Sequence, residues 1–272
     1  MKPKESLSDR GIVHAKTGRN KFKLSRYEPC PELQPFVEHY WSITYDLPAG
    51  ETFAQTVLSY PNLNLAFERD EEGSRSLLYG VPSRPFVRQL RGKGLVLGIK
   101  FRAGGQYPFY SLDAVKLTGK TIDVTEAFGN EAHEWMNTVL DASDDSEMAR
   151  IAENILLSRL PERDKLAELT DAIVQNVKND RDLTRVEQIS ERNNLSIRQL
   201  QRLFRKYVGV TPKWIIKRFR LQEAAERAER EEVIQWTELA EQLGYFDQAH
   251  FIKDFKSVVG QSPSDYRKQL LR

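Results

Sequence analysis

The sequence predicts a multidomain α and β chain. A small antiparallel β-barrel or sandwich comes first, linker helices follow, and an all-α C-terminal domain holds two helix-turn-helix units joined by a long helix. Three observations predict it. Residues 36–119 are short β-branched and aromatic segments separated by Pro, Gly, Asp and Asn. After Gly119 the apolar residues recur at three- and four-residue spacing, as in amphipathic helices. Residues 186–270 contain an internal repeat at an offset of 51. The 272 residues fit two domains or one large one. The boundaries read as 1–120 for the β-rich part, 121–162 for linker helices, and 163–272 for the last domain.

Along the chain, residues 1–23 are polar and basic and read as an arm with no signal peptide. Strand segments follow at Val37–Tyr45, Thr52–Leu58, Leu63–Phe67, Leu77–Val81 and Leu95–Phe101. Their punctuation includes Pro48–Gly50, Glu71–Gly73, Pro82–Pro85 and Gly92–Gly94, a spacing that suits a small barrel or sandwich. Helices are expected at Val124–Asn137, Glu147–Arg159 and Arg163–Lys178, with an acidic turn at Asp141–Asp145. Trp135, Met136, Val139, Leu140, Ile151, Ile155 and Leu156 form an apolar face for a dimer interface or for packing on the chain's own barrel.

The repeat holds apolar, cap, Gly and Pro positions in one register. Ile189 maps onto Ala240, Asn193 onto Gly244, Leu195 onto Phe246, and Ser196 onto Asp247. Phe204 maps onto Phe255, Gly209 onto Gly260, and Pro212 onto Pro263. Each unit reads as helix, tight turn, helix, at about 186–207 and 237–258. Asn193-Asn194 suits a left-handed turn. Ser196 with Gln199 has capping-box spacing. Leu200, Leu203 and Phe204 then point inward, and Arg198, Gln201, Arg202 and Arg205 outward. In the second unit Phe251 and Phe255 point inward, while Gln248, Ala249, His250, Lys253 and Lys256 are outside. This is the pattern of a helix-turn-helix that inserts its second helix into the DNA major groove. Thr211 caps a helix from Pro212 to about Arg230, roughly 28 Å long at 1.5 Å per residue.

Charge agrees with this organisation. Residues 1–160 hold 20 basic against 21 acidic residues, and 161–272 hold 21 against 18. From Arg185 to Arg220 there are ten basic and two acidic residues, an electrostatic footprint for phosphate. From Glu223 to Glu241 there are seven Glu and two Arg, a segment expected to face away from it.

The stretches LSIRQLQRLFRKYVGVTPKWIIKRFRLQEA and LAEQLGYFDQAHFIKDFKSVVGQSPSDYRK are similar to the DNA-binding domain of AraC/XylS-type bacterial transcription regulators, over about residues 165–272. HYWSITYDLP, YPNLNLAF and GIKFRAGGQYPF resemble the cupin-like sensor halves of one subgroup, whose function is poorly defined. The resemblance implies that Arg198, Gln201, Arg202, Gln248, Ala249, His250 and Lys253 face bases. Arg with guanine and Gln with adenine are the expected bidentate pairs. Ser196, Arg205, Lys206, Thr211 and Lys256 are then candidates for phosphate, and Arg218 and Arg220 for pairing with the Glu cluster. Double-stranded DNA is the implied partner. RNA polymerase, a small-molecule effector and a second copy of the chain are further ones, and the bacterial cytoplasm is the expected location.

Other chemistry is weakly signalled. The single Cys30 excludes a disulfide framework, and it lacks the basic neighbours that activate a thiolate. His14, His39, His133 and His250 are too scattered for a metal site, so no metal or cofactor is expected. His39 in its aromatic strand reads as a core imidazole. Gly104-Gly105 reads as a turn rather than a phosphate loop. No apolar run reaches the ~20 residues of a membrane span. If the N-terminal part holds an effector, Trp41, Tyr45 and Arg102 are its candidate contacts, with a structural ion pair the other reading of Arg102. The sequence points to a protein that is not an enzyme. The rival readings are a cupin-like catalyst, or an alkyl-transfer protein using Cys30, fused to a DNA-binding module. An N-terminal half serving only oligomerisation or protein contact is also open.

Overall fold

A computed structural model of the chain describes residues 20–57, 60–82, 85–230 and 235–270. The arm at 1–19, His14, Leu58, the middle of Pro82–Pro85, and Glu231 and Glu232 of the acidic stretch lie outside these residues.

Eight strands come first: β1 (Lys23–Tyr27), β2 (Val37–Asp46), β3 (Thr52–Val57), β4 (Asn64–Asp70), β5 (Gly73–Tyr79), β6 (Phe86–Arg91), β7 (Lys93–Phe101) and β8 (Thr121–Asp123). Six form one antiparallel sheet in the order β1-β2-β7-β4-β5-β8, and β3 pairs with β6 in a separate ribbon. The expected barrel is therefore not closed. β1 hydrogen-bonds only to β2 and β8 only to β5, so the sheet keeps two edges among the described residues. Closure is not needed for burial, because both faces are covered from within the chain. Strand alternation sends Tyr40, Leu65, Phe67, Leu97, Ile99 and Phe101 to one face. Tyr45, on the opposite face, packs with Leu47 and Leu90 beneath the ribbon.

The helices α1 (Tyr107–Tyr110), α2 (Val124–Phe128), α3 (His133–Leu140) and α4 (Asp145–Leu157) follow the strands. The expected single helix over Val124–Asn137 is broken by Gly129, whose φ of 85° is a left-handed-side conformation that few other residues adopt. Phe128, Trp135, Val139, Leu140, Met148 and Leu156 are buried in the same core as the strands. Most of the apolar face offered for dimerisation is thus used inside the chain.

The last part is all helical: α5 (Lys165–Asn179), α6 (Val186–Arg192), α7 (Ile197–Leu203), α8 (Pro212–Arg230), α9 (Trp236–Gln242), α10 (Gln248–Val259) and α11 (Pro263–Leu270). A π-helical turn, Phe204–Val208, continues α7. The helix α8 serves two cores. Its first half puts Ile215, Ile216 and Phe219 against Ile189, Leu200 and Phe204. Its second half puts Leu221, Ala224, Ala225 and Ala228 against Leu239, Phe251 and Phe255.

Candidate nucleic-acid interface

The first unit is α6, a turn, and α7. Its turn is a Schellman motif: Leu195 N–H donates to Ser190 C=O at 3.1 Å, and Asn194 N–H to Glu191 C=O at 3.2 Å. Asn194, with φ 51°, is the left-handed residue, rather than Asn193. Ser196 then caps α7. Its hydroxyl accepts the Gln199 N–H at 3.2 Å, and Gln199 returns a carbonyl oxygen to the Ser196 N–H at 2.8 Å. The cap fixes where the helix starts, and the helical period then sets its faces. Leu200, Leu203 and Phe204 are buried, while Arg198, Gln201, Arg202 and Arg205 are exposed. None of these three arginines forms an ion pair among the described residues. By contrast Arg181, Arg192 and Arg220 are paired with Glu223 or Asp180.

The second unit repeats the motif one residue earlier. Tyr245 N–H donates to Ala240 C=O at 2.9 Å and Gly244 N–H to Glu241 C=O at 2.9 Å, with Gly244 at φ 81°. Asp247 caps α10 by accepting the Ala249 N–H at 2.8 Å. Gln248, Ala249, His250, Lys253 and Lys256 are all exposed. The register of the caps follows the repeat, but Leu195 and Phe246 do not behave alike. Leu195 packs against its core, whereas Phe246 is fully exposed and Tyr245 packs instead.

The other expected contacts have local duties. The Thr211 hydroxyl accepts the Trp214 N–H at 3.1 Å and starts α8. The Lys206 ammonium sits 4.3 Å from the Tyr107 ring and 5.0 Å from that of Tyr207. His250 lies 3.4 Å from Asp254, which also bonds to Lys217 at 3.1 Å and Tyr245 at 3.2 Å. That carboxylate ties α10 to α8. The start of the acidic stretch pairs within the domain: Glu223 with Arg181, Arg220 and Arg227, while Glu229 accepts from Tyr266. Arg220 thus pairs with the Glu cluster as expected. Arg218 donates to Gln222 at 2.9 Å, and its full burial, opposed by Tyr60 and by Glu226 of that cluster, draws its guanidinium down to about 10.

Sequence reasoning missed how the β-rich part holds the first unit. Gln106 donates to the Tyr207 carbonyl at 2.9 Å, and Thr118 to the Gly209 carbonyl at 2.7 Å. Tyr60 enters between the parts. Its hydroxyl accepts from Gln222 at 2.7 Å, and its ring lies 5.0 Å from the Arg218 guanidinium and 4.1 Å from the Lys100 ammonium. The glycines were the available signal. A Cβ on Gly209 would lie 2.5 Å from the Thr118 hydroxyl, and one on Gly104 3.1 Å from Tyr207 Cβ. The contacts themselves approach the end of α7 and leave its outer face exposed.

The three effector candidates do not gather in one place. Trp41 lies over Gly98 and donates to Asn64 at 3.4 Å, and Tyr45 lies over Gly94 beneath the ribbon. Arg102 pairs with Asp171 of α5 at 3.3 Å, a structural bridge between the two parts. Cys30 is half-buried, and burial pushes its thiol up, with Glu32 and Glu153 adding to the effect. That is opposite to an activated thiolate. Among the described residues no three or more His, Cys, Asp and Glu side chains are placed to hold a metal ion, and no helix is long and apolar enough to cross a membrane.

Comparison with known proteins adds to this geometry. Residues 25–123 match a family described as a domain of unknown function (DUF6597), and residues 189–269 match the helix-turn-helix domain family. An uncharacterized HTH-type transcriptional regulator of Haemophilus influenzae is 30% identical over 155 residues, 53% of this chain and 49% of that protein. The HTH-type transcriptional activator RhaS of Pectobacterium carotovorum is 31% identical over 81 residues, 30% of this chain and 29% of that protein. The matches therefore span about half of one relative's length and under a third of the other's. The solved C-terminal domain of AraT, a response regulator from Geobacillus stearothermophilus, is 28% identical and covers 39% of this chain and 88% of that one, with a TM-score of 0.35. Residues 189–269 thus match helix-turn-helix domains such as those of transcriptional regulators, and they follow a β-rich part that matches a family of unknown function.

Proposed function

We propose that the chain is a transcription regulator that reads double-stranded DNA through both helix-turn-helix units. The observation that carries this reading is the outer face of α7, where Arg198, Arg202 and Arg205 stand exposed and without carboxylate partners on a capped helix. Arg198, Gln201 and Arg202 take bases from the first unit. Gln248, Ala249, His250 and Lys253 take them from the second. Arg205 and Lys256 take phosphate. Ser196 and Thr211 present capped helix starts to the backbone, and Lys206 reaches phosphate only by leaving the Tyr107 ring. The β-rich domain acts as the controlling part, because it grips the chain at Tyr207–Gly209, directly after the reading helix. A ligand that prefers one arrangement of that contact shifts the equilibrium between arrangements. The surroundings of Cys30 lend the alkyl-transfer reading no support.

The test is selection of duplexes from a random DNA pool by full-length protein, followed by salt-titrated affinity for the winner. Two short motifs about 34 Å apart are expected, with a preference of roughly 10³-fold or more over random DNA. Affinity governed by salt alone, with no enriched sequence, would overturn the reading.

A further inference from the structure

The two reading helices differ where they face outward. At the offset of 51, Arg198 and Gln201 correspond to Ala249 and Ile252, and Leu195 to Phe246. The turn explains the last difference. Gly244 comes three residues before its cap, whereas Asn194 comes two before its own, so the second unit holds one more residue between motif and cap. Tyr245 takes the packing position, its ring 5.4 Å from Phe251, and Phe246 is extruded, 106% exposed. Ala249 is exposed and Ile252 is 38% exposed. Three-residue spacing puts Ala249 and Ile252 on one side of α10, beside Lys253 and Lys256, and Phe246 stands just before the Asp247 cap that starts the helix.

Single apolar residues on a surface need no explanation. Two on the outer side of α10 and a fully exposed Phe just before its cap, where the sister unit carries Arg, Gln and a packed Leu, do need one. The thymine 5-methyl is the apolar feature that base edges offer in the major groove. We propose that the second unit selects thymines through apolar contact of Phe246, Ala249 and Ile252 with their 5-methyl groups, while the first unit selects bases by hydrogen bonding. This rests on the DNA-binding reading above. It gives the weakly basic second helix a way to discriminate without adding charge.

The test uses the duplex selected by full-length protein, with each thymine replaced in turn by deoxyuridine. Deoxyuridine lacks only the methyl and keeps every hydrogen-bonding group. Loss of one buried methyl is expected to weaken binding about fourfold at one or two thymines of the second half-site. The same replacements should have no such effect for the Phe246→Ser or Ile252→Ser variants, whose altered side chains are exposed. Tight binding of every uracil-containing duplex overturns the proposal while leaving DNA reading intact. So does a methyl dependence that survives in both variants. Failure to enrich any sequence removes both readings at once.

Discussion

Arg202 and Lys256 carry the same charge on exposed helix faces, but the proposed roles separate them. Arg202→Ala should cost about 1–3 kcal/mol on the preferred site and relax discrimination at one base pair. Equal losses on specific and random DNA would contradict base contact. Lys256→Ala should weaken all sequences alike and lower the slope of log affinity against log salt by about one. Away from DNA, His39 makes its own prediction. Burial, with Lys100 and Arg26 adding to it and Glu38 opposing, holds its imidazole down at about 3. The unfolded chain therefore takes up a proton near the ordinary value while the folded chain does not, so stability falls as pH drops below about 6.5. Urea melts should lose roughly 1–2 kcal/mol between pH 6.5 and pH 5, and His39→Gln should flatten that limb. An identical slope in the variant would place the titration elsewhere. Outward and inward residues of the reading helices were legible in the sequence, because one cap and a period of 3.6 fix both faces. Phe246 was not: whether it or Tyr245 packs depends on where the left-handed residue falls, and Gly244 accepts that role one residue earlier than Asn194 does.

Among the elements, the start of α8 at Pro212 was readable, because a cap and a Pro mark it, and so was its course, because an apolar stripe runs along it. The strands were less legible. β1 (KLSRY) and β6 (FVRQLR) are polar segments whose place is set by partners, Tyr40–Thr44 for one and Thr52–Val57 for the other. β2 pairs with β7 across some sixty residues of sequence, and nothing local in either strand specifies that pairing or an open rather than closed sheet. The turns give an element-scale prediction. Gly244→Ala forces a side chain into a left-handed conformation and should cost about 1–2 kcal/mol. Hydrogen exchange should show the loss in α9 and α10 before α6 and α7. Asn194→Gly, where φ is already positive, should cost little by comparison. Equal effects at both turns would mean that the two units do not unfold separately.

For the molecule as a whole, Tyr60 joins the parts. Tyr60→Ala removes the ring from the buried Arg218 guanidinium and should cost about 2–3 kcal/mol. Tyr60→Phe keeps the ring, loses only the bond to Gln222, and should cost about 1 kcal/mol. Denaturant melts of the two variants check the ratio, and indistinguishable losses would assign the effect to the hydroxyl. None of this contact was legible in the sequence, since Tyr60 stands in a Tyr-Pro turn and the partner the sequence offers Arg218 is the Glu cluster. The division of α8 between two cores has one further consequence. The β-rich domain grips the first unit, and the second is carried on the same unbroken helix. In the proposed two-unit reading, once the first unit is seated the second meets its half-site as a tethered neighbour rather than by free diffusion. A helix with little charge of its own then still adds to occupancy, but only at the separation the rod permits. Inserting a few base pairs between half-sites should cancel that gain while leaving the first unit bound.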